Sequence, residues 1–124
     1  MKTLQLEKTP KTPLVKLDST TGKLIFQGRS IPEDAIGFYE GIMDWIVEYA
    51  KSPATKTVVE MRFEYFNTAS SKCILDVLKK LESFQSDVFI EWYFEEDDED
   101  MQEAGEDYHA IINLPFKIIE TEEL

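Results

Sequence analysis

Six short stretches of the chain alternate between apolar and polar residues and are rich in β-branched and aromatic side chains. This pattern is typical of β-strands, because successive side chains of a strand point to opposite faces of a sheet. It predicts strands at residues 3–7, 14–18, 23–28, 57–65, 88–94 and 116–120. Residues 19–22 contain only serine, threonine and glycine, and they predict a hairpin between the second and third strands.

Between the later strands, apolar residues recur every three or four positions, which places them on one face of an α-helix. The first helix is expected to run for about 18 residues from a start near Ser30, with Ser30 as its N-cap and Glu33 completing a capping box. The second helix is expected at residues 69–85 and the third at about 101–112.

The order of these elements indicates the fold class. Two consecutive strand–helix–strand units require crossover connections and therefore parallel strand pairing, whereas the early hairpin is antiparallel. With 124 residues, the chain has the length of one domain. We expect a single compact α/β domain over residues 1–124, with a mixed sheet of about five or six strands and three main helices.

The composition is that of a folded protein. Hydrophobic residues make up 43% of the sequence and aromatic residues 12%, which is more than disordered chains carry. No apolar run reaches the roughly 20 residues of a membrane span, and the N-terminal residues lack the apolar segment of a signal peptide. Cys73 is the only cysteine, so no disulfide within the chain is possible, and we expect a cytoplasmic protein.

The chain is acidic, and its charge is unevenly distributed. The net charge is −12. Residues 1–56 carry 8 basic and 7 acidic side chains, whereas residues 57–124 carry 5 basic and 18 acidic ones. Such a surface repels the phosphates of nucleic acids and the headgroups of anionic lipids, so we expect neither nucleic-acid nor membrane binding. A basic protein partner, or solubility alone, accounts better for the charge.

The residue types that most often carry catalysis are isolated in this sequence. His109 is the only histidine, and no HExxH, CxxC, GxSxG or Walker motif is present. Cys73 is expected in the first turns of a helix, where the helix dipole can lower the pKa of a thiol, although packing is its simpler role. A hydrolase or transferase would require a pocket that joins His109 to Cys73 or Thr68. We therefore expect no catalytic residues and no cofactor.

The acidic run at residues 95–100, followed by Glu103, Glu106 and Asp107, has three interpretations. The first, which we prefer, is solvation together with stabilisation of negative charge at a helix start. The second is the docking of a basic partner. The third is a small divalent-cation-binding protein that uses residues 95–107, although their spacing does not match an EF-hand loop. Micromolar affinity for Ca²⁺, Mg²⁺ or Mn²⁺ in calorimetry would favour this alternative; no metal ligand is assigned here.

The most informative segment is the predicted junction between the fourth strand and the second helix, residues 64–72. Four hydroxyl or amide side chains fall there: Asn67, Thr68, Ser70 and Ser71. One such residue is enough to cap a helix by accepting a hydrogen bond from a free backbone N–H. A helix start also tolerates a phosphate, and a phosphoryl group on a hydroxyl would add about −1.5 to −2 charges without unfolding the helix. The segment therefore suits both capping and a phosphorylation switch.

Several motifs, taken in order along the chain, resemble those of the SiaC family of bacterial regulatory phosphoproteins. The likeness runs from about Leu4 to Phe116. Its motifs are Gly28-Arg29-Ser30-Ile31-Pro32-Glu33, Phe38-Tyr39, Trp45, Tyr65-Phe66-Asn67-Thr68 followed by Ser70-Ser71-Lys72, Trp92-Tyr93, Asp100-Met101 with Glu103-Ala104-Gly105-Glu106-Asp107, and Pro115-Phe116. As a set these motifs are highly specific, although each one alone is weak.

The resemblance implies a compact fold similar to STAS domains and anti-sigma factor antagonists. It implies a non-enzymatic, partner-switching regulator that a cognate serine/threonine protein kinase phosphorylates and a metal-dependent protein phosphatase dephosphorylates. It also implies that the unphosphorylated form binds an effector such as a diguanylate cyclase, which links the switch to biofilm formation and aggregation.

By motif position, the resemblance implies that Thr68 is the phosphate acceptor. The residues expected to support this position flank it: Asn67, Ser70 and Ser71 shape the turn, and Tyr65, Phe66 and Lys72 are candidates for partner docking. Ala69 stands where a serine is expected. This departure concerns local hydrogen bonding or kinase preference, and the acceptor itself is retained.

Overall fold

In the computed structural model, which describes residues 1–124, six strands form one sheet and three helices connect its later strands. The strands are β1 (Leu4–Leu6), β2 (Leu14–Asp18), β3 (Lys23–Ser30), β4 (Lys56–Phe66), β5 (Asp87–Glu95) and β6 (Phe116–Thr121). The helices are α1 (Ala35–Tyr49), α2 (Thr68–Glu82) and α3 (Glu99–Ile111). The predicted α/β class, six-stranded mixed sheet and three helices are confirmed. None of these helices is both long and apolar enough to cross a membrane.

The strands lie in the sheet in the same order as in the sequence. β1, β2 and β3 pair antiparallel, and β3, β4, β5 and β6 pair parallel. Because β6 pairs parallel with β5, the chain contains three strand–helix–strand units, one more than the two expected. Right-handed crossovers that all advance in one direction place every helix on the same face of the sheet.

The core lies between that face of the sheet and the three helices. A single cluster of 24 buried residues draws on β2 to β6 and on all three helices. Trp92 on β5 is fully buried at its centre, and its ring lies 6.0 Å from that of Phe63 and 5.3 Å from that of Tyr108. Gly105 lets α3 approach closely here, because a Cβ at this position would overlap the indole of Trp92.

The expected start of α1 is wrong. Ser30 does not cap a helix; it is the last residue of β3, is fully buried and pairs with Phe66 of β4. α1 begins five residues later, and its N-cap is Asp34, whose carboxylate accepts a hydrogen bond from the Gly37 amide at 3.0 Å. The parallel ladder with β4 therefore extends β3 past the point where the local capping pattern favoured a helix.

The acidic run is more ordered than its composition indicates. Glu95 belongs to β5, and α3 begins at Glu99, two residues before the expected start. Asp98 caps the helix by accepting a hydrogen bond from the Met101 amide at 3.1 Å, and Glu99 and Asp100 occupy its first turn. Negative charge is favourable at this position because it opposes the positive end of the helix dipole.

Candidate functional site

The junction between β4 and α2 is a single residue long. β4 ends at Phe66, Asn67 is the N-cap, and Thr68 is the first residue of α2. The Asn67 side chain accepts a hydrogen bond from the Ser70 amide at 2.8 Å, and its carbonyl accepts one from the Ser71 amide at 2.9 Å. Asn67 is therefore the capping residue among the candidates: its side chain satisfies an amide that the first turn of a helix leaves free, and its carbonyl accepts the first regular bond of the helix.

A buried chain of hydroxyl groups holds this junction from below. The Ser30 hydroxyl lies 2.7 Å from the Tyr39 hydroxyl and donates to the Ser70 hydroxyl at 2.9 Å. Ser30 and Ser70 are completely buried, and Tyr39 nearly so. The Ser30 carbonyl also accepts a hydrogen bond from the Asn67 amide at 3.1 Å. The start of α2 is thus fastened to β3 and α1, and burial in low dielectric makes each of these bonds costly to break.

The third helix contributes a further hydrogen bond to the junction. Tyr108 of α3 donates from its hydroxyl to the Ser71 carbonyl at 2.8 Å. Burial raises the pKa of Tyr108 and of Tyr39 above the usual range of a phenol. Both phenols are therefore neutral at physiological pH, the state in which they can donate. Ser71 also uses its hydroxyl, which donates to the Thr68 carbonyl at 2.6 Å.

The predicted site residues differ in how far they reach solvent. Thr68 and Lys72 are exposed, and Tyr65 is 54% exposed. Phe66 is only half-exposed, and its ring contacts the core, 6.2 Å from the ring of Trp92. Ser70 is buried. The junction therefore presents a threonine hydroxyl, a phenol and an ammonium group to solvent, while Phe66 joins this surface to the core.

The charge around the junction is asymmetric. The first turn of α2 carries no acidic residue. Beside it, a groove of about 290 Å³ between the end of β4 and the start of α3 has Tyr65 and Phe66 on one wall, and its carboxylates come from Glu64, Asp98 and Asp100. Negative charge therefore lies next to the α2 start but not on it.

The structure does not bring His109 together with Cys73 or Thr68, as a hydrolase or transferase would require. Cys73 faces α1 across the space between α1 and α2. His109 is exposed, and its ring stacks on Phe116 of β6 at 5.2 Å. The two residues thus face different neighbours, and neither joins Thr68.

Cys73 lacks the lowered pKa that a helix start can give a thiol, in agreement with packing as its simpler role. Burial raises the pKa of its thiol, and the carboxylates of Asp76 and Asp34 raise it further. Burial is the larger cause, and the two carboxylates act in the same direction, against ionisation of the thiol.

Residues 95–107, the segment of the divalent-cation alternative, do not form a preformed metal site. No three carboxylate, histidine or thiol side chains of the chain lie close enough together to hold a metal ion.

Two contributors to the junction were missed by sequence reasoning. The local pattern assigns Ser30 to a helix cap, and Tyr39 is named only within the Phe38-Tyr39 motif. Their link to Ser70 spans 40 residues, so no local pattern indicates it. A prediction of this network would have required extending β3 to Ser30, with the Ser30 side chain on the face of the sheet that the helices cover.

Comparison with known proteins identifies relatives that match nearly the whole chain. Along 121 residues, the chain is 27% identical to an uncharacterized protein of Pseudomonas aeruginosa (strain UCBPP-PA14), covering 95% of this chain and 96% of that protein. The crystal structure of apo-SiaC from Pseudomonas aeruginosa matches with a TM-score of 0.88 at 27% identity, covering 96% of this chain and 99% of the other.

A crystal structure of a complex also matches. It is that of the diguanylate cyclase SiaD with its activator SiaC from Pseudomonas aeruginosa, with a TM-score of 0.90, 26% identity and coverage of 95% and 99% of the two chains. The sequence pattern of the SiaC family of regulatory phosphoproteins matches residues 6–121. Because that match spans nearly the whole chain, the protein belongs to the SiaC family of regulatory phosphoproteins.

Proposed function

We propose that this protein is a non-enzymatic phospho-switch whose acceptor is Thr68. A cognate serine/threonine protein kinase adds the phosphate, and a metal-dependent protein phosphatase removes it. The observation that carries the proposal is the exposed Thr68 hydroxyl on the first residue of α2 in a member of a phosphoprotein family. The single thiol of the chain, Cys73, suits the reducing cytoplasm in which we place this switch.

Burial distinguishes Thr68 from the other hydroxyls of the junction. Ser70 is completely buried, and its hydroxyl accepts a bond from Ser30. Ser71 is half-buried, and its hydroxyl is engaged by the Thr68 carbonyl. A kinase must reach the hydroxyl and draw it into its own active site. Thr68 meets that requirement without any unfolding of α2.

The electrostatics of the junction also favour Thr68. α2 carries no carboxylate at its N-cap or in its first turn, so no charge of the helix itself opposes the positive end of its dipole. A phosphate on Thr68 would lie at this end and would be stabilised by it. The helix is therefore expected to remain folded after modification. The added charge alters the surface and leaves the scaffold in place.

We propose that the unphosphorylated form binds an effector, and that the effector is a diguanylate cyclase. Support comes from the structurally similar SiaC of Pseudomonas aeruginosa, which forms a complex with the diguanylate cyclase SiaD. Tyr65, Phe66 and Lys72 supply the aromatic and polar contacts, as in the sequence-based expectation. A phosphate that faces an apolar or acidic partner surface would weaken binding by about 5–150-fold. Such partner switching, as in STAS-like regulators, would link the protein to biofilm formation.

The acceptor is tested by incubating the protein with its cognate kinase and ATP and measuring intact mass. One phosphate is expected on the parent and on Ser71→Ala, and none on Thr68→Ala. Uptake of phosphate by Thr68→Ala at the parental rate would refute Thr68 as the acceptor.

The switch is tested by titrating the effector with three proteins. Thr68→Asp is expected to bind about 5–150-fold more weakly than the parent, because it adds negative charge at the α2 start. Thr68→Ala is expected to bind like the parent. Equal affinity of all three, measured by calorimetry, would contradict control of docking by charge at this residue.

A further inference from the structure

A second surface lies away from the junction, between α1 and α2. It is an open groove of about 240 Å³, called the α1/α2 groove below. Its floor is apolar and includes Met43 of α1 and Val77 of α2. Ile36 stands at its edge and is 77% exposed. Covering such an exposed aliphatic side chain with a partner lowers the free energy of the complex.

The α1/α2 groove has an acidic rim. Glu40 and Asp44 of α1 and Asp76 of α2 line it, and all three are exposed. None of the five ion pairs of the chain involves these carboxylates. α1 contains no lysine or arginine, and the lysines of α2 (Lys72, Lys79 and Lys80) form no ion pair with the rim. The rim is an unpaired negative surface around an apolar floor.

We propose that the α1/α2 groove docks a cationic amphipathic helix of a partner protein. Apolar side chains spaced three and four residues apart along that helix cover Ile36, Met43 and Val77. Its lysine or arginine residues, on both flanks of the apolar stripe, pair with the acidic rim. The occupant follows from charge complementarity, because the apolar floor alone would accept any hydrophobic segment.

The same charges disfavour other occupants. A second copy of the chain would bring two acidic rims together, and like charges in contact oppose association. An anionic lipid surface is repelled for the same reason. The groove is also smaller than the roughly 300–1,000 Å³ of most small-molecule pockets, and it is open along its length. A helix that inserts a few side chains fits it better.

This docking site is separate from the proposed effector surface. Thr68 does not line the α1/α2 groove. A phosphate on Thr68 adds negative charge, which would weakly attract a cationic helix where it repels an acidic or apolar effector surface. A partner held in this groove therefore remains bound in both phosphorylation states.

The test uses a synthetic helical peptide of about 15 residues, with leucines in one stripe and lysines on both flanks, and measures binding by fluorescence anisotropy. The groove variant combines Glu40→Lys, Asp44→Lys and Asp76→Lys. Its matched control combines Glu103→Lys, Glu106→Lys and Glu120→Lys, which change three other exposed carboxylates and the net charge by the same amount.

The groove variant is expected to bind the peptide at least about tenfold more weakly than the parent, because three attractive pairs become repulsive. The control is expected to lose less than about threefold. Equal losses in both variants would overturn the proposal, since the peptide would then respond only to net charge. A peptide with glutamates in place of lysines that binds as tightly would overturn it as well.

The apolar part of the proposal has its own variant pair. Ile36→Ser is expected to weaken peptide binding about fivefold or more, whereas Ile111→Ser, at another exposed isoleucine, leaves it unchanged. Thr68→Asp is expected to leave the peptide affinity within about twofold of the parent. A large loss in Thr68→Asp would refute independence from the switch. Peptide binding does not depend on which residue is phosphorylated, so failure of Thr68 as acceptor and failure of the groove are separate results.

Discussion

The starts of α2 and α3 are capped in the same way but differ in charge. In each, an asparagine or aspartate caps the helix by accepting a hydrogen bond from the amide three residues later, at 2.8 Å for Asn67 and 3.1 Å for Asp98. The first helical residue is Thr68 in α2 and Glu99 in α3. The positive end of α3 is therefore opposed by carboxylates of its own first turn, whereas α2 has no carboxylate there. Phosphorylation of Thr68 would give α2 the charge that α3 always carries.

The two starts also differ in what holds them from below. α2 rests on the buried hydroxyls of Ser30, Tyr39 and Ser70. α3 rests on the indole of Trp92, which donates from Nε1 to the Met101 carbonyl at 3.0 Å. The start of α2 is thus held by a network of buried hydroxyls, and the start of α3 by a hydrogen bond from one buried indole. Variants that disturb one support should leave the other helix start in place.

The largest effect is expected for Gly105→Ala in α3. Alanine improves helix propensity by about 1 kcal/mol, but its Cβ would overlap the buried Trp92 ring, and overpacking of a core costs about 1–3 kcal/mol. We expect a net decrease of about 1–2 kcal/mol in the free energy of unfolding. Urea denaturation followed by tryptophan fluorescence measures it.

The control is Gly41→Ala in α1. A Cβ at this position would meet no atom within 4 Å apart from its chain neighbours and the nearby backbone of its own helix. Only helix propensity therefore acts, and the free energy of unfolding should rise by about 0.5–1 kcal/mol. Opposite signs for two glycine-to-alanine changes would establish the contact with Trp92 as the cause. Stabilisation by both would mean that α3 has room to move.

Tyr39→Phe is expected to have the next largest effect. It removes one hydroxyl from the network below α2 and leaves Ser30 bonded to Ser70. The loss should be about 1 kcal/mol of unfolding free energy. Faster hydrogen exchange should follow at the amides of Ser70 and Ser71, while the amides at the start of α3 keep their rates.

The matched control for this variant is Tyr49→Phe. The Tyr49 hydroxyl lies 2.8 Å from that of Thr57 and accepts a bond from the Ala54 amide at 3.2 Å, away from the junction. A comparable loss of stability is expected, with no change in exchange at Ser70 and Ser71. If both variants accelerated exchange there equally, the effect would reflect global stability and the network would have no local role.

Local patterns were sufficient to predict the elements and the fold class. Alternation identified β4 and β5 to within one residue at each end, and a stripe of apolar residues identified α2. They failed at Ser30, where the serine and Glu33 satisfy the local rule for a helix start. Pairing with β4 and burial against Tyr39 override that rule. The competing interactions are long-range, so a local rule does not register them.

The site was predicted in part for the same reason. Asn67 was one of several cap candidates, and it is the cap because α2 begins at Thr68, one residue before the expected start. Which hydroxyl reaches solvent does not follow, because Thr68 and Ser70 differ by two positions and have similar chemistry. The turn of the helix directs Ser70 inward to Ser30 and leaves Thr68 exposed. That difference requires the packing of α2 on the sheet.

A smaller effect is expected from exchanging the first residues of the two helices. Thr68→Glu should raise the free energy of unfolding by about 0.3–1 kcal/mol, and Glu99→Thr should lower it by a similar amount. Both effects should diminish as salt increases, because exposed charges are screened. Thermal denaturation at low and high ionic strength measures them. No change in either variant would show that the dipoles of α2 and α3 are equally compensated by other groups.

The smallest effect tests why the cap of α2 is an amide. Asn67→Asp keeps the capping oxygen and adds the charge that Asp98 carries in α3, so the unmodified protein should gain a few tenths of a kcal/mol. A phosphate on Thr68 would then lie beside a carboxylate, and like charges repel. Phosphorylation should therefore lower the melting temperature of Asn67→Asp relative to its unmodified form, but not that of the parent. Gln85→Glu, which adds a charge at an exposed site outside the helix, should behave like the parent. The same phosphate-dependent shift in all three proteins would mean that the neutral cap has no bearing on the switch.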